Sequence, residues 1–236
     1  MAAGESPLLR SYLSLRKSIG LIGTALPFVL GLGGLLFASL SLQSSVSSYY
    51  HTALRDVLVG SLCAIAVFLW SYCGYDRRDR IAGNLACICA LGVALFPTAP
   101  ENPTALQSAL SRVHLISAAG FFLTLAYFSI VLFRLSDDPT PTSRKLQRNL
   151  VYEACGYTIL ACIVGIGALS LTPAGERLKQ LRPVFWLEAA AIVAFGISWA
   201  VKGETILKDR EPESQQKVPA RIPPRTKRAV EAQPVV

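Results

Sequence analysis

Charge is what this chain has least of. Only 16% of its 236 residues are Asp, Glu, Lys or Arg, whereas a soluble domain carries about 25%. Mean hydropathy is +0.44, so composition argues against a water-soluble globular domain. Histidine is nearly absent too. His51 and His114 are the only two, which leaves no His-x-x-x-His or His-Glu-x-x-His pair on one helix face for a metal. Aromatics are missing from residues 202–236, and without them that basic stretch lacks what a nucleic-acid groove interleaves with charge. Nucleic acid is therefore not an expected partner. No phosphate-binding Gly loop and no nucleophile elbow occurs. Cysteine is absent from the polar loops: Cys63, Cys73, Cys87, Cys89, Cys155 and Cys162 all fall in apolar stretches. They read as small packing residues rather than as a disulfide framework.

What the chain does have is six long apolar runs, at about 19–42, 56–74, 81–98, 113–134, 150–171 and 185–201. None holds a Lys or Arg near its centre. A bilayer core roughly 30 Å thick needs about 20 apolar residues per helix. The expected fold is all-α: a polytopic membrane protein with six transmembrane helices in an antiparallel bundle over residues 19–203. The first run is longer than a signal h-region and five more follow it, so it reads as an uncleaved span. Residues 1–18 are expected to form a cytoplasmic interfacial segment, with a short amphipathic helix over 7–17 capped by Ser6 and started by Pro7. Residues 204–236 are expected to be a disordered basic cytoplasmic tail. Glycines in the first run (Gly20, Gly23, Gly31, Gly33, Gly34) and Ala161-x-x-x-Gly165 in the fifth suit close helix packing.

Eighteen of the 23 Lys and Arg residues fall on the side of both termini. The positive-inside rule therefore puts both ends in the cytoplasm. The net charge of +8 then has its counterpart in anionic lipid headgroups.

Chemistry-bearing residues collect at the other face. Ser47, Tyr50, His51, Arg55 and Asp56 lie in or beside the link between spans 1 and 2. His114 begins span 4, and Glu188 lies one turn into span 6. Ionisable groups this near hydrocarbon turn toward the bundle interior and pair. Three readings stand: a polar lock between helix ends, a lipid or ligand site through Ser47, Tyr50, Arg55 and Glu188, and a catalytic or metal site through His51, Asp56 and His114. In the lock, Glu188 would pair with Arg112 or Arg182, and His114 with Ser117. A second polar group, Gly74 to Arg80 with Asn84, Asn149, Tyr152 and Glu153, lies at the cytoplasmic face and reads as a salt-bridged loop or a headgroup contact.

The run Ser47-Ser48-Tyr49-Tyr50-His51-Thr52, with Arg55-Asp56-Val57 and Gly60, resembles a bacterial family of six-span proteins catalogued as a domain of unknown function. Gly74-Tyr75-Asp76, Ile81-Ala82-Gly83-Asn84, Val113 to Ala119 and Trp186-Leu187-Glu188-Ala189 fit it too. The family is loosely related to DRAM/Sfk/Frag-type membrane proteins. The resemblance implies the topology and a location in the bacterial inner membrane, and supplies no activity. A more distant likeness is to the CREST group of seven-span hydrolases, in which Ser47, His51, Asp56 and His114 would correspond to a zinc-site set. This chain has two histidines where that group uses three.

The leading functional expectation is a non-enzymatic membrane protein that binds, senses or organises lipid through an outward-facing polar pocket. The alternative is a zinc-dependent hydrolase of an amide or ester lipid, with His51, His114 and Asp56 holding the ion. A small transporter ranks third, because the middles of the spans are almost bare of polar groups. Membrane lipids are the expected partners, self-association is left open, and zinc enters only with the hydrolase.

Overall fold

The structure is a computed structural model that describes residues 7–72, 74, 76–100, 102–135 and 142–207, with side chains described from Ser11 onward. Among these residues it is all-helical. The long helices are α1 (Pro7–Phe37), α2 (Arg55–Trp70), α3 (Arg77–Leu95), α4 (Ala105–Ile130), α5 (Ser143–Leu171) and, after the short α6 (Ala174–Arg177), α7 (Pro183–Lys202). The expected basic tail lies outside the described residues beyond Leu207, as does Ser6.

Local chemistry sets most of the boundaries. Asp76 caps α3, its carboxylate accepting the amides of Arg78 at 2.7 Å and Asp79 at 3.1 Å. Thr104 and Gln107 form a reciprocal capping box at α4, and Thr142 caps α5. Both α4 and α5 start seven or eight residues ahead of their apolar runs, because the caps and not the hydropathy begin the helix. The segment expected as a separate interfacial helix is continuous with the first apolar run in one 31-residue helix, with Pro27 inside it. That helix stops at Phe37, short of the expected 42. Ser39 takes a left-handed φ of 51°, and Leu40 N–H donates back to the Gly34 carbonyl at 2.9 Å, which closes the last turn.

Four stretches are long and apolar enough to cross a membrane: Ser11–Phe37, Ala105–Arg134, Ser143–Leu171 and Lys179–Lys202. Two of the six expected spans fall short of that standard. Helix α2 has 16 residues, about 24 Å at 1.5 Å per residue. Helix α3 spends its first turn on Arg77, Arg78, Asp79 and Arg80. The exterior is nevertheless apolar, with Leu21, Ile116 and Val164 at least 70% exposed.

The helices form a closed circuit: α1 packs on α2, α2 on α3, α3 on α4, α4 on α5, α5 on α7, and α7 back on α1. The α1–α7 contact is backbone to backbone. A Cβ on Gly20 would come within 2.7 Å of Ala200 N, and one on Gly196 within 2.5 Å of Thr24 N, so small residues here permit close approach. Toward the C-terminal ends of their helices, Ser129 on α4 and Ser198 on α7, both fully buried, share a hydrogen bond of 3.0 Å. The core has two parts. One joins Leu26 and Leu30 of α1, Leu58 and Leu62 of α2, Val93 and Ala94 of α3, and Phe185 of α7. The other is aromatic and includes Tyr72, Phe121, Phe128, Phe133, Tyr152, Phe195 and Trp199. They define two ends of the molecule, called below the histidine end and the arginine end. The five described cysteines are free.

Candidate functional site

At the histidine end, residues 44–51 fold over the start of α7. Ser47–His51 form a 3-10 turn. The Phe185 amide donates to the Ser44 carbonyl at 3.1 Å. Glu188 Oε2 accepts the amides of Val46 at 2.6 Å and Ser47 at 3.2 Å. Ser45 and Ser48 link their hydroxyls at 2.7 Å, and Ser44 and Ser48 at 2.9 Å. One carboxylate on α7 thus holds a loop more than 140 residues away in sequence. The expected pairing of Glu188 with Arg112 or Arg182 gives way to backbone amides, because the loop brings its donors to the carboxylate first.

The other candidate residues divide into separate pairs. His51 is exposed and its Nε2 donates to the Thr98 carbonyl at 2.9 Å. His114 is 3% exposed, and its Nδ1 donates to the Phe96 carbonyl at 2.7 Å, not to Ser117. Both imidazoles therefore tie down the strip Phe96-Pro97-Thr98 where α3 ends. Arg55 bonds the Tyr50 hydroxyl at 2.9 Å and lies 4.5 Å from its ring centroid, a cation–π contact. Asp56 is exposed in the first turn of α2, where the helix dipole favours an anion. Among the described residues no group of three His, Cys, Asp or Glu could hold a metal ion. His51, Asp56 and His114 share an end of the molecule without sharing a site.

Beneath the loop lies a cavity of about 40 Å³. Its walls are apolar, including Leu26, Leu62, Phe121 and Phe195, and its polar lining residues are Ser47 and Glu188. The space is enough for ordered water, and its closing wall is the loop that Glu188 grips.

The arginine end holds a polar cluster that sequence reading covered only in part. Arg16 is 6% exposed and Asp79 1%. The Arg16 guanidinium lies 4.0 Å from the Tyr12 ring centroid and 5.5 Å from that of Tyr72. It donates to the Tyr12 hydroxyl at 2.6 Å and to the Lys202 carbonyl at 3.3 Å. The Tyr72 hydroxyl donates to Asp79 Oδ1 at 3.3 Å. Lys202 Nζ sits 5.3 Å from the Phe133 ring centroid, and Lys145 Nζ donates to the Phe133 carbonyl at 3.1 Å. Asp79 was legible as part of a polar loop. Arg16 and Lys202 were not, since sequence placed each only among the basic residues on the side of the termini. The available signal was Tyr12 and Arg16 at i and i+4, one face of a helix that runs on into the first apolar run. Gly74 is needed here: a Cβ on it would collide with the Asp79 side chain. Of the other residues named at this face, Glu153 makes a surface pair with Arg134 at 3.8 Å, a type of contact contributing no more than about 1 kcal/mol.

A comparison with protein-family models, with curated proteins and with solved structures finds no match for this chain.

Proposed function

We propose that the chain crosses a bacterial inner membrane six times as an antiparallel bundle, with both termini cytoplasmic, and binds lipid at its histidine end. Support for the six crossings comes from the closed circuit of long helices and from the outward faces of the two short ones. Val67 and Trp70 on α2, and Ile81, Leu85 and Ile88 on α3, are about half exposed or more. Such side chains belong against lipid tails. A helix about 6 Å shorter than the core is accommodated at a modest cost by local thinning of the bilayer. The segments that resemble the six-span bacterial family are consistent with the same topology.

The lipid reading rests on one observation: the half-buried carboxylate of Glu188 stands at the polar end of an apolar cavity and holds the loop that closes it. An ionisable group at such a depth is a functional candidate by default. An amphiphile matches the cavity in kind but not in its present volume of about 40 Å³: the space would have to widen for a tail to lie between Leu62 and Phe121, with a donor-bearing head, such as an amine, taking the place of the Val46 and Ser47 amides on Glu188. The loop would lift to admit it. The hydrolase alternative has weaker geometric support, because His51 and His114 each bond a different backbone carbonyl.

The test is photolabelling of the full chain in vesicles with a phosphatidylethanolamine carrying a photoactivatable acyl chain. Labelling is expected at cavity residues and should fall at least fivefold in Leu62→Trp, which fills the space. Equal labelling of that variant, with its fold verified by thermal unfolding, refutes the reading. Stoichiometric zinc lost on both His51→Ala and His114→Ala would replace it with the hydrolase.

A further inference from the structure

The arginine end lies 11 to 14 residues along α7 from Glu188, about 17–21 Å, and does not depend on the cavity reading. Five segments contribute to it: Tyr12 and Arg16 from α1, Tyr72 from the α2–α3 link, Asp79 from the start of α3, Lys145 and Arg148 from α5, and Trp199 and Lys202 from α7. Around the Tyr72 ring three polar atoms are buried without a hydrogen-bond partner, Arg16 Nε, Trp199 Nε1 and Asp79 Oδ2, and Asn149 Oδ1 on α5 is a fourth such atom at this end. Trp199 is fully buried. All three groups border one ring. Arg16 lies 5.5 Å from the Tyr72 centroid, the Trp199 ring is 5.1 Å from it, and the Tyr72 hydroxyl bonds Asp79.

Buried polar atoms are nearly always satisfied, and each exception calls for an explanation such as a missing ligand. Around that ring the unmet set is two donors and one acceptor, in a surrounding rich in positive charge. The charges of Arg16, Lys145 and Arg148 all act on Lys202, with Asp79 the carboxylate that opposes them. A simple anion would answer the two donors and be repelled by Asp79. A cation would do the reverse. One common group carries both functions: a singly protonated phosphate monoester, with acceptor oxygens and one O–H donor. With a second pKa near 6, that form is available close to neutral pH, and the cationic surroundings admit its negative charge. A phosphodiester has no such O–H.

We propose that this end of the bundle binds a singly protonated phosphate monoester group, its oxygens accepting from Arg16 Nε and Trp199 Nε1 and its P–O–H donating to Asp79 Oδ2. Lys202 adds an N–H donor from the rim beside Phe133. Basic pockets between helices at the cytoplasmic face suit lipid headgroups, and inorganic phosphate presents the same chemistry. The source is therefore either phosphatidic acid or the free ion.

The full-length protein decides between them. Equilibrium dialysis against labelled inorganic phosphate reads the free ion. Native mass spectrometry of protein released from vesicles containing equal phosphatidic acid and phosphatidylglycerol reads the lipid. Binding in the first arm alone assigns free phosphate. At least tenfold preferential retention of phosphatidic acid over the diester assigns the lipid, with or without free phosphate binding. Arg16→Gln should reduce whichever signal appears at least tenfold. Lys202→Gln, less buried and so safer for folding, should reduce it about threefold. Asp79→Asn should abolish the preference for monoester over diester. Absence of binding in both arms overturns the proposal, as does equal retention of the two lipids, or a signal unchanged in both Arg16→Gln and Lys202→Gln.

Discussion

The two ends of this molecule solve the same problem in opposite ways. Each brings ionisable side chains close to an apolar core. At the histidine end, charge and polarity are answered by backbone: Glu188 takes two amides, and His51 and His114 each take a carbonyl. At the arginine end, side chains face one another, with Arg16 on tyrosine rings, Asp79 on a tyrosine hydroxyl and Lys202 over Phe133. Backbone partners fix geometry and are indifferent to small changes in net charge. Side-chain partners leave a charge balance that substitution or a ligand can tip.

The sharpest way to break this comparison is to replace one carboxyl by its amide at each end while keeping shape. Asp79→Asn takes away the carboxylate that opposes the charges around Lys202. Stripping a buried charge cluster of its counter-ion costs on the order of 3 kcal/mol. Glu188→Gln keeps a carbonyl oxygen for the Val46 and Ser47 amides and should cost less than about 1 kcal/mol, whereas Glu188→Ala strands two donors at about 1–3 kcal/mol each. Chemical or thermal unfolding in one detergent checks the order. Equal losses for the two amide variants would end the distinction between the ends.

A smaller contrast lies within the histidine end. His114 is buried and His51 exposed, though both donate to the same three-residue strip. His114→Ala removes a buried hydrogen bond and leaves a cavity, and should cost about 2–3 kcal/mol. His51→Ala leaves a carbonyl that water can reach and should cost about 0.5 kcal/mol. Unfolding midpoints of the two variants measure the difference. A catalytic pair would behave otherwise, since either loss would abolish activity irrespective of stability.

How far these features could be read from sequence depends on what carries each signal. The helices at residues 105–130, 143–171 and 183–202 announce themselves by apolar length, but the starts of the first two were hidden, because Thr104 and Thr142 cap polar turns that precede the apolar runs by seven or eight residues. The early end of α1 at Phe37 was hidden, because Leu40 and Leu42 extend the apolar run past a stop made by the left-handed Ser39. The brevity of α2 was hidden for a similar reason: hydropathy carries on to Tyr72 after the helix has ended at Trp70. At the histidine end, sequence gathered the right residues to one face and not their partners, since Phe96 and Thr98 contribute carbonyls that every residue has. At the arginine end sequence showed Asp79 in a polar loop, and the rest of the cluster needed tertiary contact. Arg16 and Lys202 are 186 positions apart and meet only because α7 closes the circuit onto α1 through Gly20 and Gly196.

The smallest expected effect separates the arginine end's two acidic neighbours, Asp76 and Asp79. Asp76 is exposed, and the amides of Asp79 and Arg78 hold its carboxyl below the usual carboxylate range. A group whose folded pKa is depressed adds stability that is fully present above its ordinary value near 3.8 and is lost as pH falls through the folded value. Asp76→Ala should therefore lower the unfolding midpoint modestly at pH 7, and the gap between variant and parent should close as pH drops below that value. Asp76→Asn keeps an N-cap acceptor, so most of the midpoint should return, now without the acid dependence. If Asp76→Ala loses the same stability at every pH, the carboxylate is not what starts α3, and the distinction between a solvent-facing cap and the buried Asp79 three residues later has to be drawn on other grounds.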